Sequence, residues 1–297
     1  MIRRIALVAA LAVGTVPALS ASHPAWATFP GGNGKIVYSS YVDGNWEIYA
    51  VPPTGGAPVR LTHDSLSDKD PAFSADGKLI YWDRELKSGN RVIMVMKRDG
   101  SAPKTLTSST KDSWDPSPGP TGKLAFTRAS SGNSDIFVMR NDGSNVIQLT
   151  STGRFEDEPA WSPTGQLIAL SRTYHFYSAI FTMHPDGSHL TPITPANADY
   201  YDASFSPDGT HIAVDSDLTG LSDIYTMRSD GTHLTRVTFD ALYQEILPRY
   251  SPDGTRISYS SNADGDFEVF TQRLTGGGST QLTTNGALDY NGSWGSA

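Results

Sequence analysis

The sequence predicts an all-β chain: a six-bladed β-propeller of four-stranded antiparallel blades, closed by N- and C-terminal strands that share one blade. Three observations carry this. An apolar-Thr pair recurs at Leu61-Thr62, Leu106-Thr107, Leu149-Thr150, Ile193-Thr194, Val237-Thr238 and Leu282-Thr283, in steps of 45, 43, 44, 44 and 45 residues. Each full unit between these marks carries four short β-prone runs parted by tight turns, and no segment keeps a helical period. The two ends of the chain are complementary fragments of that unit.

The opening, MIRRIALVAALAVGTVPALSASHPAWA, sets Arg3 and Arg4 ahead of an apolar run from Ile5 to Val16. Ala25-Trp26-Ala27 then gives small residues at the two positions a signal peptidase reads. Residues 1–27 are therefore expected to be a secretory signal peptide, and residues 28–297 the propeller. The apolar run is shorter than the roughly 20 residues of a membrane span.

Residues 34–62 supply the second to fourth strands of a unit and lack the first. First strands follow at PAFSADGK from Pro71, PAWSPTGQ from Pro159, SFSPDGT from Ser204 and RYSPDGT from Arg249. Second strands read IVYSS at Ile36, LIYWD at Leu79, LAFTR at Leu124 and IALSR at Ile168. Third strands read EIYAV at Glu47, DIFVM at Asp135, AIFTM at Ala179 and DIYTM at Asp223. Turns at Asp99-Gly100, Asp142-Gly143, Asp186-Gly187 and Asp230-Gly231 lead to the apolar-Thr strand, which is the turn chemistry of antiparallel hairpins. The last segment, Asp289 to Trp294, reads as a first strand with nothing after it, so it completes the blade that residues 34–62 begin. Phe73, Trp161, Phe205, Tyr250 and Trp294 recur at one position and are expected to pack between blades. Pro118 breaks that pattern and predicts a looser first strand in the third blade.

The formal net charge is −8, and removal of residues 1–27 takes away two Arg and no acid, leaving −10. That balance argues against nucleic acid or anionic lipid as partner. With no Cys, disulfides, thiolate catalysis and Cys-bound metals are excluded.

Functional candidates follow from what differs between units. The longer loops, between fourth and first and between second and third strands, share one face. Just before the first strands stand two rows of acids: Asp70, Asp115, Glu158 and Asp202, interrupted by Leu247 and Asn291, and two residues earlier Asp68, Glu156, Glu245 and Asp289. Carboxylates converging on a channel mouth repel one another and call for a cation, a cationic side chain or retained protons. The same residues could instead hold neighbouring blades through backbone amides. The fourth blade shows Tyr174, His175, Phe176 and Tyr177 in a loop, with Tyr200 and Tyr201 nearby; displayed aromatics suit protein contacts or stacking on sugars. No G-x-S-x-G, H-E-x-x-H or Walker Lys motif is present, and the acid rows select no catalytic pair.

The repeat resembles the TolB-type, or PD40, propeller repeat: acid, Pro-x-Trp-Ser-Pro-Asp-Gly, then Ile-Tyr-x-Met, Asp-Gly and Leu-Thr, over essentially all of residues 34–297. The resemblance implies an extracytoplasmic six-bladed ring and, in TolB itself, a protein-interaction module of the cell envelope. TolB also has a separate N-terminal α/β domain, which this chain lacks between the opening segment and the first blade. Similar repeats occur in prolyl-oligopeptidase-type peptidases and oligogalacturonate lyases. The expectation is an exported, secreted or periplasmic platform, monomeric, that binds a protein or peptide. The alternative is a propeller that binds or cleaves carbohydrate with its mouth carboxylates. No cofactor is required, and Ca²⁺ is the candidate occupant of the central channel.

Overall fold

The computed structural model describes residues 28–297; the expected signal peptide, residues 1–27, lies outside the described residues. Twenty-four strands, β1 (Asn33–Val42) to β24 (Asp289–Ser296) in chain order, form six four-stranded antiparallel sheets. Blade 1 has the order β24-β1-β2-β3, so both ends of the chain share it, with Asn33 opposite Ser296 and Ile36 opposite Trp294. The other five blades each take four consecutive strands. Their first strands are β4 (Asp68–Phe73), β8 (Ser113–Pro118), β12 (Phe155–Trp161), β16 (Tyr200–Phe205) and β20 (Glu245–Tyr250). Each first strand touches the next, and β20 meets β24, which meets β4; the first strands therefore line a central channel. Among the described residues no helix is long and apolar enough to cross a membrane.

The repeated residues have local reasons. In every blade the Thr of the apolar-Thr pair accepts the N–H of a third-strand residue: Ile48, Ile93, Ile136, Ile180, Ile224 and Val269, each at 2.9 Å. The apolar partner returns its own N–H to the same residue's carbonyl, as Leu61 does to Ile48 at 2.7 Å. A fourth strand of only two ladder residues is thereby fixed by a hydroxyl, which an aliphatic residue could not supply. The Ser-x-Asp-Gly turn is similarly closed. Ser74 Oγ donates to Asp76 at 2.7 Å and accepts from the Leu79 N–H at 2.9 Å, while Gly77 takes the left-handed φ of 66°.

The core lies between the blades. Among the described residues it divides into six clusters, each mixing residues of two neighbours. Ala160 and Ile180 of blade 4, for example, pack with Tyr200, Phe205 and Val214 of blade 5. Buried apolar area of this kind contributes about 25 cal/mol per Å², so each seam stabilises both of its blades. The expected looseness of blade 3 does not occur. All of β8 is buried, and the Trp161 indole of blade 4 lies against Gly119, where a Cβ would stand 2.9 Å from the ring. A large ring from the next blade covers what Pro118 leaves open.

The segment before β1 passes the turn-side ends of two first strands. Thr28 Oγ1 donates to the Tyr250 carbonyl at 3.0 Å and Gly31 N–H to Pro252 at 3.2 Å, both in blade 6. Phe29 packs against the cluster that holds Trp161 of blade 4.

Candidate functional site at the channel mouth

Each first strand is broken by a bulge at the position just before the Pro or its equivalent. Asp70, Asp115, Glu158, Asp202 and Leu247 all take left-handed φ values, between 52° and 61°. The ladder slips at the same places, between Lys69 and Ala72, Trp114 and Ser117, Asp157 and Ala160, Tyr201 and Ser204, and Ile246 and Arg249. A bulge re-aims the side chain it carries. This separates the two rows of acids, which a regular strand would place on one face.

The row at the bulge converges. Ligand oxygens of Asp70 and Asp115 lie within 4.8 Å of each other and of Asp83, a second-strand residue from β5 (Leu79–Glu85). Asp83 is 1% exposed, and neither of its oxygens meets a donor other than a proton shared with Asp70. Burial, and then the Asp70 charge, push the carboxyls of Asp83 and Asp115 well above the ordinary carboxylate range. Across the mouth, Glu158, Asp202 and Asp215 of β17 (His211–Ser216) form a second group. Burial holds Glu158 at about 8 and Asp215 at about 6, and burial followed by its two neighbours raises Asp202 strongly. Arg249, buried, reaches the Asp202 carboxylate at 3.7 Å and donates to the Pro248 carbonyl at 2.7 Å. Arg91 adds positive charge beside Asp83 and Asp115 with its guanidinium 4.0 Å from the Trp114 ring. Six carboxyls thus face two guanidinium groups.

Part of this set also joins blades. Glu158 Oε2 accepts the Asp202 N–H of blade 5 at 3.1 Å, and Asp215 accepts the Leu247 N–H of blade 6 at 3.2 Å. Elsewhere a serine does the same work: Ser39 accepts from Asp70 at 3.0 Å and Ser260 from Asn291 at 2.7 Å. The carboxyls of Asp83 and Asp215 therefore stand where other blades carry Ser39, Thr127, Ser171 and Ser260. That exchange is readable by aligning LIYWD and IAVDS with IVYSS and IALSR, and was the missed signal. Asp157, pushed up to about 6 by burial, was missed as well.

The other acid row does not reach the channel. Asp68 pairs with Arg84 at 2.6 Å and Glu156 with Arg172 at 2.5 Å, each within its own blade. Glu245, pushed up to about 7 by burial, lies beside Thr238, Asp223 and Arg236. Asp289 faces Glu268 at the seam between blades 6 and 1. The aromatic candidates also divide. Tyr174 and Tyr177 stack on each other, centroids 4.7 Å apart, and pack onto blade 4. Phe176 is 96% exposed at the loop tip. Tyr200 is fully buried in the core, so it is not displayed; its neighbour Tyr201 points into the mouth and accepts from Ser178 Oγ at 2.9 Å. Tyr201, Trp114, Phe155 and Ile246 wall a cavity of about 690 Å³ whose floor holds Asp157, Glu158, Asp202 and Asp215. Phe155, 51% exposed, was not among the expected aromatics.

The TolB beta propeller domain family (PD40) matches residues 2–203 and 156–296. A protein of unassigned function from Agrobacterium fabrum (strain C58 / ATCC 33970) is 31% identical over 93 residues, so the chain aligns with about a third of that relative's length (31% of each). TolB from Acinetobacter baumannii has a similar structure, with a TM-score of 0.78 at 17% identity over 89% of this chain and 67% of that one. The putative TolB from Agrobacterium tumefaciens gives 0.68 at 22% identity, over 80% and 86%. At these identities the structural likeness speaks for the fold, and the family match covers the ring. The chain belongs to the TolB beta propeller domain family.

Proposed function

We propose that the protein is an extracytoplasmic binding module that takes a positively charged segment of a protein or peptide at its channel mouth. The observation that carries this is the cavity of about 690 Å³ with carboxyls on its floor and Trp114, Phe155, Tyr201 and Ile246 on its walls. A guanidinium or ammonium entering it replaces protons that the crowded carboxyls otherwise retain, and aromatic faces attract the same group. Export is supported by the opening segment, with its Arg pair, apolar run and Ala25-Trp26-Ala27.

A hard cation also fits this mouth. Asp70, Asp83 and Asp115 offer oxygen ligands alone, and the orphaned Asp83 oxygens match what Ca²⁺ takes. Those three residues would hold it, and the cation would offset the charge of the buried triad.

The test is calorimetric binding of short Arg-containing peptides against their citrulline counterparts, which keep shape and lose charge. Arg peptides should bind and citrulline peptides should not. Asp202→Asn and Phe155→Ala should each weaken binding by at least about tenfold, or about 1.4 kcal/mol. Equal binding of both peptide sets, or unchanged affinity in both variants, would sink the proposal.

A further inference from the structure

A second group of acids lies away from the channel, where blade 6 meets the blade made from both chain ends. The loop Asn262-Ala263-Asp264-Gly265-Asp266-Phe267 joins β21 (Arg256–Ser261) to β22 (Glu268–Arg273). Ligand oxygens of Asp264, Asp266 and Glu268 all lie within 4.8 Å of one another. Acidic loops are common, so the group needs a reason of its own.

That reason comes from comparing blades. In three other blades the acid near the start of the third strand is met from the fourth: Glu47 pairs with Arg60 at 2.7 Å, Asp223 pairs with Arg236 at 2.7 Å, and Asp135 accepts a hydrogen bond from the Gln148 amide at 3.1 Å. In blade 6 the fourth strand carries Gln281, whose amide is turned to Asp264. Glu268 is left 1% exposed, with a 3.4 Å contact from the Gly286 N–H on one oxygen and no hydrogen-bond partner on Oε2. Across the seam, on a different strand, Asp289 is fully buried; Asn285 donates to its Oδ2 at 2.9 Å, and its Oδ1 lacks a well-aligned donor beyond a proton shared with Glu268. The Ser40 and Thr283 hydroxyls lie beside it. Among the described residues no Lys or Arg forms an ion pair with any of the four carboxyls.

We propose that a hard divalent cation, Ca²⁺ by size and ligand preference, is held at the seam of blades 6 and 1 by Asp264, Asp266 and Glu268, with Asp289 facing it. The donors are all oxygen, with no His or Cys, which disfavours zinc and copper. Asp264 is exposed and Asp266 half-buried, so water can complete the six to eight oxygens that Ca²⁺ takes. Mg²⁺ demands a stricter octahedron than an exposed loop and a buried glutamate on the following strand provide.

The position gives the cation a task. The Phe267 carbonyl accepts the Asp289 N–H at 2.6 Å, and the Phe267 ring packs on Tyr290 with centroids 5.4 Å apart. Tyr290 in turn stacks on Trp46 at 5.1 Å, and Trp46 meets Tyr41 at 5.3 Å. A cation on the loop thus braces the strand that closes the ring and orders a row of four aromatic rings across the seam.

Hydrogen exchange of the full protein, with EDTA or with Ca²⁺ alone, tests this. At free Ca²⁺ ten times its Kd, local opening becomes about tenfold rarer, so amides in residues 262–268 and 285–296 should exchange about tenfold more slowly. The surface double variant Asp264→Asn/Asp266→Asn should lose that slowing, and Asp83→Asn, which removes the channel cation ligand, should keep it. No slowing in the unaltered protein, or slowing that survives the double variant, would overturn the seam site. Slowing lost in Asp83→Asn but kept in the double variant would assign the effect to the channel instead.

Discussion

Glu158→Gln should make the protein more resistant to alkaline pH. Glu158 is 3% exposed, and its Oε2 accepts the Ser171 hydroxyl at 2.5 Å and the Asp202 N–H at 3.1 Å. Burial raises its folded-state pKa from 4.5 to about 8. Between those values the folded state holds a proton that the unfolded chain has released. The stabilisation is therefore present at low pH and is lost as pH rises. From pH 5 to pH 8 the linkage amounts to roughly 3–4 kcal/mol for this one group. The amide of Gln keeps an acceptor for both donors and has nothing to ionise. It also lowers the charge felt by Asp115 and Asp202, which acts in the same direction. The assay is urea unfolding of both proteins at pH 5 and pH 8 with EDTA, so that no bound cation masks the effect. The variant should lose roughly 3–4 kcal/mol less than the unaltered protein across that interval. Equal losses in the two proteins would refute the reasoning, because the proton would then not reside on Glu158.

Two further outcomes test the architecture. Thr238→Val keeps shape but leaves the buried Ile224 N–H, now 2.9 Å from the hydroxyl, without its acceptor; it should cost about 1–3 kcal/mol by urea unfolding, and an unchanged midpoint would contradict the role given to the repeated Thr. Gly292→Ala would set a Cβ 2.5 Å from the Val37 carbonyl oxygen and 2.8 Å from that of Pro71, so strands of two blades must shift; a fall in Tm equivalent to about 2–4 kcal/mol is expected, and a Tm equal to that of the unaltered protein would count against the packing described.

The fold was legible because a propeller asks the same things of every blade. The Thr hydroxyl, the Asp-Gly turn and the inter-blade aromatic each answer a need that recurs about every 44 residues, so periodicity exposes them. The mouth was legible only in part. Asp68 and Asp70 look alike two positions apart, and only the left-handed backbone at Asp70 sends one to Arg84 and the other to the channel. Asp tolerates that conformation better than most residues, but the preference is the same for Asp68 and Asp70 and so does not tell them apart. Asp83 sits in a run that reads as a second strand, Asp215 stands at the matching place of the fifth blade, and Arg249 sits inside a repeat motif. Tyr200 and Tyr201 are adjacent in the sequence yet face opposite ways, which strand alternation explains once the register is known. What every blade shares was visible, and what one blade aims inward depended on register and bulge.

The shared blade also fixes how the molecule bears load. Asn33 lies opposite Ser296, and the Ala297 N–H donates to the Gly32 carbonyl at 2.8 Å, so the two ends leave the sheet side by side. Tension applied between them would fall on one rung of the β1–β24 ladder at a time, as in the opening of a zipper. Tension along the strands from opposite ends would instead shear all the rungs together. Pulled apart by its two ends, the ring is thus expected to open first at the β1–β24 join.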